Sequence, residues 1–575
     1  MLLNQNQRTR TLLLILLVPF FIAAQDNSGN QGQISGSFQI DSQYYTEDTL
    51  TGAIPPDEDV GINAWGYLTY TLKDFEVGMR YETYSPALLG YPASTLISYS
   101  GSGIGYRYAK YKNDLLDVTV GNFYEQFGLG MIFRSYEERF LGVDNAMDGV
   151  RLRISPLDGV YLKGVMGKQR FAFDNGFTNG PGVVRGLDAE FNLNEMFSAL
   201  DTSKTRVSLG ASFVSKYERD NSSLLQLPEN VGSYGGRVLI QRGRVGFVTE
   251  YVHKENDPNV SNRDIYKNGN ALYSNLTYST KGFALNLTGT TKDNMFYQSS
   301  RAVSPFDLNI NYLPALTKQH TYNLAATLYP YATQPNGEIG YSGEISYKIK
   351  KKSKAKSKIA QLLGGKYGTK ITMSYTQLND LDTTWIDPSQ SFDVDLDPSR
   401  QGYEVSLFKA GDRVLIKDFH AEIDKKISKK TKIKYTYFNF VFDQGLIQGG
   451  GKELPTVFAD IHVAEIGYKV KPKHNIRIEL QHLATKQDSG NWFTGLVEYT
   501  VSPHWSFSVM DQYNYGNVHP NAKLHYLIGA IAYTRNTSRI ELRGGRQRAG
   551  IFCIGGVCRT VPAATGLTLS VTTSF

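Results

Sequence analysis

Apolar and polar residues alternate along most of this chain with a period of two. In residues 75–84 (FEVGMRYETY) every second position from Phe75 to Tyr81 is apolar, and in residues 338–349 (EIGYSGEISYKI) apolar residues recur in the same way from Ile339 to Ile349. Neighbouring side chains of a β-strand point to opposite faces, so this pattern predicts strands with one apolar and one wet face. The chain is therefore predicted to be all-β.

Two architectures contain such strands: soluble sandwiches, and transmembrane barrels with lipid outside and water within. Most alternating segments run for about 10–12 residues, which matches the roughly 9–11 residues of a bilayer-spanning strand better than the 5–6 typical of soluble strands. Short connections such as 73–74 and 502–504 alternate with long ones, near residues 46–61, 85–102, 124–147, 169–183, 218–233, 255–268, 443–455 and 549–563. This asymmetry predicts a transmembrane antiparallel up-and-down outer-membrane β-barrel.

About 26 segments have strand character. The alternating up and down direction of successive strands tests this number. With a periplasmic N-terminus, every short turn should lie on the periplasmic side. This fails between residues 293 and 415, where the basic run KKKSKAKSK at 350–358 would face outward. Assigning residues 319–329 and 401–409 to loops restores the alternation. We therefore predict about 24 strands, within a range of 22–26, since bacterial barrels favour even numbers.

The connection at residues 124–147 differs from an ordinary surface loop. It contains many apolar side chains that demand burial, among them Phe127, Met131 and Phe133, together with a balanced set of acids and arginines. Loops of this length are uncommon and often functional. The segment is therefore predicted to fold into the barrel lumen, where six of its residues would line or seal the interior: Glu125, Arg134, Glu137, Glu138, Arg139 and Asp144.

The charges of this lumen loop have two interpretations that the sequence leaves open. In general porins an inward loop with facing acids and arginines forms the constriction and creates a transverse field. In plugged barrels such charges pair with one another and seal the lumen. Residues 303–337 are a candidate second inward segment, because they contain four prolines, which are poor in spanning strands: Pro305, Pro314, Pro330 and Pro335.

The N-terminus indicates export. Arg8 and Arg10 precede an apolar run, Leu12 to Ala24, that is too short to span a bilayer, so residues 1–24 are predicted to be a cleaved secretory signal peptide. Removing these two of the 61 basic residues lowers the net charge from +7 to about +5. The charge is spread along the chain, so no nucleic-acid partner is predicted. Residues 25–575 show no composition break and are predicted to form a single barrel domain.

The sequence contains few candidate reactive groups. Cys553 and Cys558 stand close together in IFCIGGVC, and export favours a disulfide between them. The sequence contains no HExxH pair and no GxSxG nucleophile elbow. In DIHVAE, residues 460–465, His462 is predicted to be a wet, lumen-facing residue rather than a metal ligand. The sequence therefore predicts no enzymatic activity, no metal site and no cofactor.

Three stretches of the chain resemble a known group of proteins: GNFYEQFGLGMIFRSYEER, YLPALTKQHTYNLAATLYPYATQPNGE and GGKYGTKI. They are similar to stretches of an uncharacterised family of outer-membrane β-barrel proteins from Bacteroidota, which are Gram-negative bacteria. The resemblance extends over nearly the whole mature chain. It implies a barrel and an outer-membrane location, and it implies no substrate and no catalytic residue.

The predicted function is that of an outer-membrane porin-like barrel for the passive passage of small solutes, with residues 124–147 as its constriction. The alternative is a sealed barrel that acts as a structural or accessory subunit of a larger outer-membrane assembly. The chain ends in an alternating strand, TGLTLSVTTSF, whose terminal Phe575 resembles the signal that outer-membrane proteins present to their assembly machinery. The predicted partners are outer-membrane lipid, lipopolysaccharide, that machinery and other outer-membrane proteins.

Overall fold

The computed structural model describes residues 32–92, 97, 99–303, 305, 307–354, 357–386, 402–448, 454–555 and 557–575. The predicted signal peptide, residues 1–24, lies outside the described residues. Within the described part of the chain, no helix is both long enough and apolar enough to cross a membrane.

A closed antiparallel sheet of 24 strands forms the wall of the molecule, which confirms the predicted barrel and its strand number. Each barrel strand pairs with the next one along the chain, and the first strand pairs with the last. The barrel strands are β1 Gln33–Thr46, β2 Val60–Leu72, β3 Phe75–Tyr84, β4 Tyr99–Lys112, β5 Leu116–Phe123, β10 Met147–Leu157, β11 Val160–Asp174, β12 Phe177–Asn192, β13 Thr205–Tyr217, β14 Asn230–Arg242, β15 Val245–Lys254, β16 Gly269–Thr280, β17 Phe283–Asp293, β18 Gly337–Ile349, β19 Thr369–Trp385, β20 Tyr403–Lys426, β21 Thr431–Asp443, β22 Thr456–Lys471, β23 His474–Thr485, β24 Trp492–Val501, β25 Trp505–Tyr513, β26 His525–Arg535, β27 Ser538–Gln547 and β30 Ala564–Ser574.

Shorter elements lie in the connections between these strands. Three small hairpins are formed by β6 Gln126–Phe127 with β7 Phe133–Arg134, by β8 Glu137–Glu138 with β9 Val143–Asp144, and by β28 Gly550–Ile554 with β29 Val557–Val561. The short helices are Leu193–Met196, Ser198–Asp201, Val260–Asn262, Asn323–Leu328, Lys352–Lys354, Lys358–Gly364, Gln444–Ile447 and Pro520–Ala522.

Two of the predicted connections are wrong. Residues 169–183 belong largely to β11 and β12, which meet at a tight turn, Asn175–Gly176, where both residues have a positive φ that Asn and Gly adopt readily. Residues 401–409 include the beginning of β20, because β19 and β20 continue to pair, with register shifts, well past the length that spans a bilayer. Residues 319–329, by contrast, contain a helix and no barrel strand.

Neighbouring wall residues differ strongly in exposure, and this difference identifies the two faces of the barrel. Leu187 is 65% exposed, whereas the adjacent Asp188 is 3% exposed. Tyr251 is 43% exposed, whereas the adjacent Glu250 is 2% exposed. Because alternate side chains of a strand point to opposite faces, the exposed apolar residues form the outer surface and the buried charged residues point into the barrel.

The connections at the two ends of the barrel differ in length. One end has mainly tight turns, such as 73–74, 281–282 and 472–473. The other end carries most of the long connections, among them residues 124–146 and residues 294–336. These two connections pack against inward-facing wall residues, and they are called the first and the second inner segment below.

Three apolar clusters lie inside the barrel. One joins the first inner segment, including Phe127, to wall residues such as Val184. Another joins the second inner segment, including Leu324, to wall residues such as Phe438. The third surrounds Trp65 and involves β2, β3, β4 and β11. Among the described residues, none from β1, β27 or β30 belongs to these clusters.

Candidate functional site

The first inner segment consists mainly of two small hairpins, β6–β7 and β8–β9. Phe127 and Phe133 lie opposite each other in the first hairpin, and both are fully buried against apolar wall side chains. Burial of a phenylalanine side chain contributes about 1.5–3 kcal/mol to stability. Apolar burial therefore holds this segment against the wall, in addition to the ion pairs described next.

Asp144, at the end of β9, belongs to a buried network of ion pairs with the wall. Its Oδ2 atom lies 2.5 Å from the guanidinium of Arg80 on β3 and 2.9 Å from that of Arg170 on β11. Glu82 lies 2.7 Å from each of these arginines, and Tyr124 donates a hydrogen bond to Asp144. Glu137 also lies 3.0 Å from Arg80, so two cations and three carboxylates meet here and fix the segment to two wall strands.

The charge state of Asp144 follows from these neighbours. Burial alone would raise the pKa of its carboxyl group, because water no longer solvates the charged form. The positive charges of Arg170 and Arg80 and the hydrogen bond from Tyr124 outweigh burial and hold the pKa below the 3.8 of a free aspartate. Asp144 is therefore ionised at neutral pH, as its role between two arginines requires.

Glu125 and the β6–β7 hairpin make further contacts with inward-facing wall residues. The carboxylate of Glu125 accepts a hydrogen bond of 2.7 Å from Arg153 and lies 3.5 Å from Nζ of Lys163. At the tip of the hairpin, the backbone N–H of Leu129 donates to the carboxylate of Glu250 at 2.7 Å. Glu125 is therefore an anchoring residue in this structure.

Arg134 connects the first inner segment to the second. Its guanidinium lies 4.5 Å from the ring centroid of Tyr136 and 4.1 Å from that of Tyr312 in the second inner segment. Its backbone N–H donates to the carbonyl oxygen of Ile310 at 2.8 Å. The side-chain amide of Asn145 donates to the carbonyl oxygen of Asn309 at 2.9 Å. The two segments thus pack together as one interior unit.

The second inner segment covers almost the same residues as the predicted inward segment 303–337. Tyr322 donates a hydrogen bond to Glu465 on β22, and the backbone N–H of Leu324 donates to Gln481 on β23 at 3.0 Å. Burial and the bond to Glu465 raise the pKa of Tyr322 to about 12, so its hydroxyl group keeps its proton. On the opposite side, Lys216 on β13 donates to the carbonyl oxygen of Gln298 at 2.8 Å.

A cavity of about 590 Å³ lies inside the barrel beside β1, β27 and β30. Along β27 it extends from Arg539, the second residue of the strand, to Gln547, the last. At about 3.4 Å per residue, that length is on the order of 27 Å along the strand. Along β30 the cavity extends from Thr568 to Thr572. It therefore follows most of the length of β27 and about half that of β30.

The first inner segment forms the opposite side of this cavity through residues 137–140. Nε of Arg139 donates to Glu137 at 2.7 Å, and another nitrogen of Arg139 donates to Gln39 on β1 at 2.9 Å. Glu138 borders the same space. Three of the six predicted lumen residues, Glu137, Glu138 and Arg139, therefore border the cavity. The other three attach the segment to the wall or to the second inner segment.

The charges around the cavity are balanced. Four arginines and four carboxylates border it: Arg139, Arg539, Arg543, Arg559, Asp41, Glu137, Glu138 and Glu541. Arg539 lies 2.5 Å from Glu541, whereas Arg543 has no ion-pair partner among the residues that the structure describes. The cavity thus presents charges of both signs to its contents.

The sequence does not single out the wall side of the cavity. Arg539, Glu541 and Arg543 alternate with Ile540 and Leu542, which is the pattern of a wet inner face, but many other strands show it too. The signal that distinguishes them is their position. They lie beside the seam where the first and last strands pair, and the packed interior leaves this part of the wall free.

Cys553 and Cys558 face each other in the β28–β29 hairpin and are joined by a disulfide. The hydroxyl group of Tyr312 donates to the carbonyl oxygen of Gly555 at 2.8 Å, so the hairpin contacts the second inner segment. Arg559 on β29 borders the cavity. The hairpin therefore lies over the interior at the end of the barrel that carries the long connections.

Solved structures similar to this chain show only distant likeness. The translocation pore of the P pilus usher PapC has a TM-score of 0.41 and 7% identity, covering 94% of this chain and 99% of that one. The siderophore receptor PirA from Pseudomonas aeruginosa has a TM-score of 0.38 and 11% identity, covering 96% and 82%. OccAB3 from Acinetobacter baumannii has a TM-score of 0.35 and 10% identity, covering 96% and 100%. Likeness at this level transfers no function.

Sequence comparison gives a clearer result. No curated protein matches the chain at a significant level. The Bacteroidota origin that the resemblance implies stays a prediction. A model of a family of unknown function, DUF6029, matches residues 8–575, nearly the entire length. This protein therefore belongs to the DUF6029 family.

Proposed function

We propose that this protein is an outer-membrane channel for the passive passage of small hydrophilic solutes. The observation that carries the proposal is the cavity beside β1, β27 and β30, which follows most of the length of β27 and is lined mainly by polar and charged side chains. Uncompensated burial of polar groups is costly, so a polar inner face is stable where it meets water. In this proposal residues 137–140 form the constriction.

The lining also suggests which solutes pass. Arginines and carboxylates border the passage in equal number, so neither cations nor anions gain a strong advantage. Hydroxyl groups of Thr568, Ser570 and Thr572 offer hydrogen bonds along one side. The passage therefore suits small neutral or zwitterionic solutes, which are selected by width and by the local field.

The outer surface supports a position in the outer membrane. Exposed apolar side chains such as Leu68, Val77 and Leu187 cover the outward face of the wall, where they would contact lipid and lipopolysaccharide. At the C-terminus, the backbone of Phe575 exchanges two hydrogen bonds with Gly36 and so continues the pairing of β30 with β1. We assign this terminal strand as the contact for the outer-membrane assembly machinery.

One observation favours the alternative of a sealed barrel that serves a larger outer-membrane assembly. The two inner segments pack against many of the wall strands and bury apolar clusters there. If the remaining space is closed at one end, solutes cannot cross. The protein would then act through the surface of its long connections, with other outer-membrane proteins as partners.

Single-channel recording distinguishes these two functions. The purified full chain, reconstituted in planar bilayers, should give steady and reproducible current steps. Folding is checked in the same preparation by the shifted gel mobility of unheated barrel protein. A folded protein that conducts no current would contradict the channel and favour the sealed barrel.

A matched pair of arginine variants tests the constriction. We expect Arg139→Ala to shift the reversal potential in a salt gradient towards cation selectivity, because the carboxylates of Glu137 and Glu138 remain beside the passage. Arg134→Ala is the control, since its guanidinium is stacked between two tyrosines away from the cavity. Equal reversal potentials for the wild type and Arg139→Ala would contradict the assignment of the constriction.

A further inference from the structure

Two histidines and an aspartate meet where the second inner segment contacts the wall. His320 belongs to that segment, whereas Asp418 and His420 are alternate, inward-facing residues of β20. Nε2 of His320 lies 2.6 Å from Oδ2 of Asp418, and Nδ1 of His420 lies 3.8 Å from Oδ1 of Asp418. One donor atom from each of the three residues lies within 4.8 Å of the other two.

One carboxylate oxygen of Asp418 and one ring nitrogen of His420 are buried without a hydrogen-bond partner among the described residues. Asp418 and His420 are 2% and 4% exposed. Among the described residues, neither Oδ1 of Asp418 nor Nδ1 of His420 has a hydrogen bond, and their separation of 3.8 Å is too long for one between them. Leaving such atoms unsatisfied costs about 1–3 kcal/mol each. A shared ligand between them would remove this cost.

We propose that His320, Asp418 and His420 bind one divalent transition-metal ion of the zinc type. Two imidazoles and one carboxylate are a ligand set that Zn²⁺ takes readily, with water at the remaining position. Donor atoms around a tetrahedral zinc ion lie about 3.4 Å apart. The separations here are 2.6 Å to one oxygen of Asp418 and 3.8 Å to the other, and all three donors lie within 4.8 Å of one another, so shifts of about 1.4 Å or less would reach that geometry. The ion would join the second inner segment to β20.

The surroundings contain space for water. They also contain one competing cation, the ammonium group of Lys318. A cavity of about 80 Å³ borders His320 and Asp418 and is large enough for water molecules that complete the coordination. Nζ of Lys318 lies 3.3 Å from Nε2 of His420 and 2.7 Å from the carboxylate of Glu344. When Nδ1 of His420 binds a metal ion, Nε2 carries the proton, so the ammonium group must withdraw towards Glu344. Lys318 therefore opposes metal binding.

This site does not depend on conduction through the large cavity. The two histidines are distant from each other in sequence, and the sequence predicts no metal site because the spacing of the nine histidines shows none. Only the folding of the second inner segment onto β20 brings His320 to Asp418. Metal binding is measured on the protein in detergent, so a failure of the channel proposal would leave the result intact.

Titration of the full chain with Zn²⁺ and Co²⁺ tests the site. After dialysis against a chelator, calorimetry with Zn²⁺ should show one strong site per chain, and Co²⁺ should give visible absorption bands. We expect His320→Ala and Asp418→Asn each to weaken binding by at least about tenfold, since even groups outside a ligand set change metal affinity by that factor. His525→Ala is the matched control, because His525 pairs with Asp511 at 2.7 Å in an exposed position.

A fourth variant keeps the proposal testable if a ligand substitution disturbs folding. Lys318→Met removes the competing charge without touching a ligand, and it should tighten Zn²⁺ binding. If the histidines and the aspartate are held together only by hydrogen bonds, no variant should show a strong Zn²⁺ site. The same affinity in the wild type, His320→Ala, Asp418→Asn and His525→Ala would show that Zn²⁺ binds elsewhere, and would overturn the proposal.

Discussion

The inner faces of β21–β22 and of β27–β30 belong to one sheet, yet they carry opposite chemistry. On β21 and β22 the inward residues include Phe438, Phe440 and Ile461, all buried under the second inner segment. On β27 the inward residues include Arg539 and Arg543, which border the large cavity. The polarity of an inward face therefore reports what lies against it: a packed segment in one region and open space in the other.

This comparison also corrects a sequence prediction. His462 was expected to face a wet lumen, but it lies on the outer face of β22 with Phe458, where its Nδ1 atom shares a hydrogen bond of 2.7 Å with Tyr435. The inward positions of the same strand, such as Val463, are apolar because the second inner segment covers them. Alternation alone identifies two faces, and it cannot say which face is inside.

The largest effect is expected from breaking the ion-pair network that attaches the first inner segment. Arg170→Met leaves Glu82 and Asp144 with only Arg80 as a cation, and removal of one partner from a buried network costs about 3–5 kcal/mol. Urea unfolding in detergent, followed by tryptophan fluorescence, measures the loss. Arg543→Met, on the open side of the barrel, is the control and should change stability by less than about 0.5 kcal/mol.

A somewhat smaller effect is expected in the apolar region. Phe438→Ala removes a ring that packs against Tyr322 and His320 at centroid distances of 6.0 and 4.9 Å, and such truncations cost about 3 kcal/mol or more. Phe458→Ala removes a ring of the same size from the outer surface, where it is 57% exposed. The same unfolding assay compares them. Equal losses would mean that the second inner segment does not pack on this wall.

The smallest effect is expected from acid. Because the folded pKa of Asp144 is below 3.8, its carboxylate contributes stability that is fully present above that pH and is lost as the pH falls through the folded pKa. Each unit of lowering corresponds to about 1.4 kcal/mol. The stability of the wild type should therefore fall below about pH 4 more steeply than that of Asp144→Asn. Parallel pH profiles for the two proteins would contradict this.

Much of the architecture could be predicted from sequence, because a barrel is specified by local rules. Alternation, strand length and the two classes of connection led to 24 strands. The errors fell where those rules lose force: at residues 169–183, where long strands continue to a tight turn, and at residues 401–409, where a ladder extends past the spanning length. In both cases the alternation continues beyond the spanning part of the strand, so the sequence does not mark where that part ends.

The candidate sites depend on contacts that no local pattern contains. The sequence singles out Glu125 and Glu137 alike, and both pair with wall residues, yet only Glu137 also borders the cavity. Asp418 and His420 are two residues apart, so their proximity could be predicted from the sequence. His320 approaches them only because the second inner segment folds onto β20. Distances between remote parts of the chain decide which charges anchor, which border open space, and which could bind a metal ion.

The seam between β1 and β30 has a consequence for the order of assembly. Residues Ser37–Thr46 pair with Thr565–Ser574, yet neither strand contributes to the apolar clusters inside. The interior can therefore complete its packing on a curled, still open sheet. Closing the cylinder then requires mainly backbone hydrogen bonds between the first and the last strand, and pairing between strands so distant in sequence forms slowly. We expect this joining to be the slow final event of biogenesis, and the cavity to take its shape only at that moment.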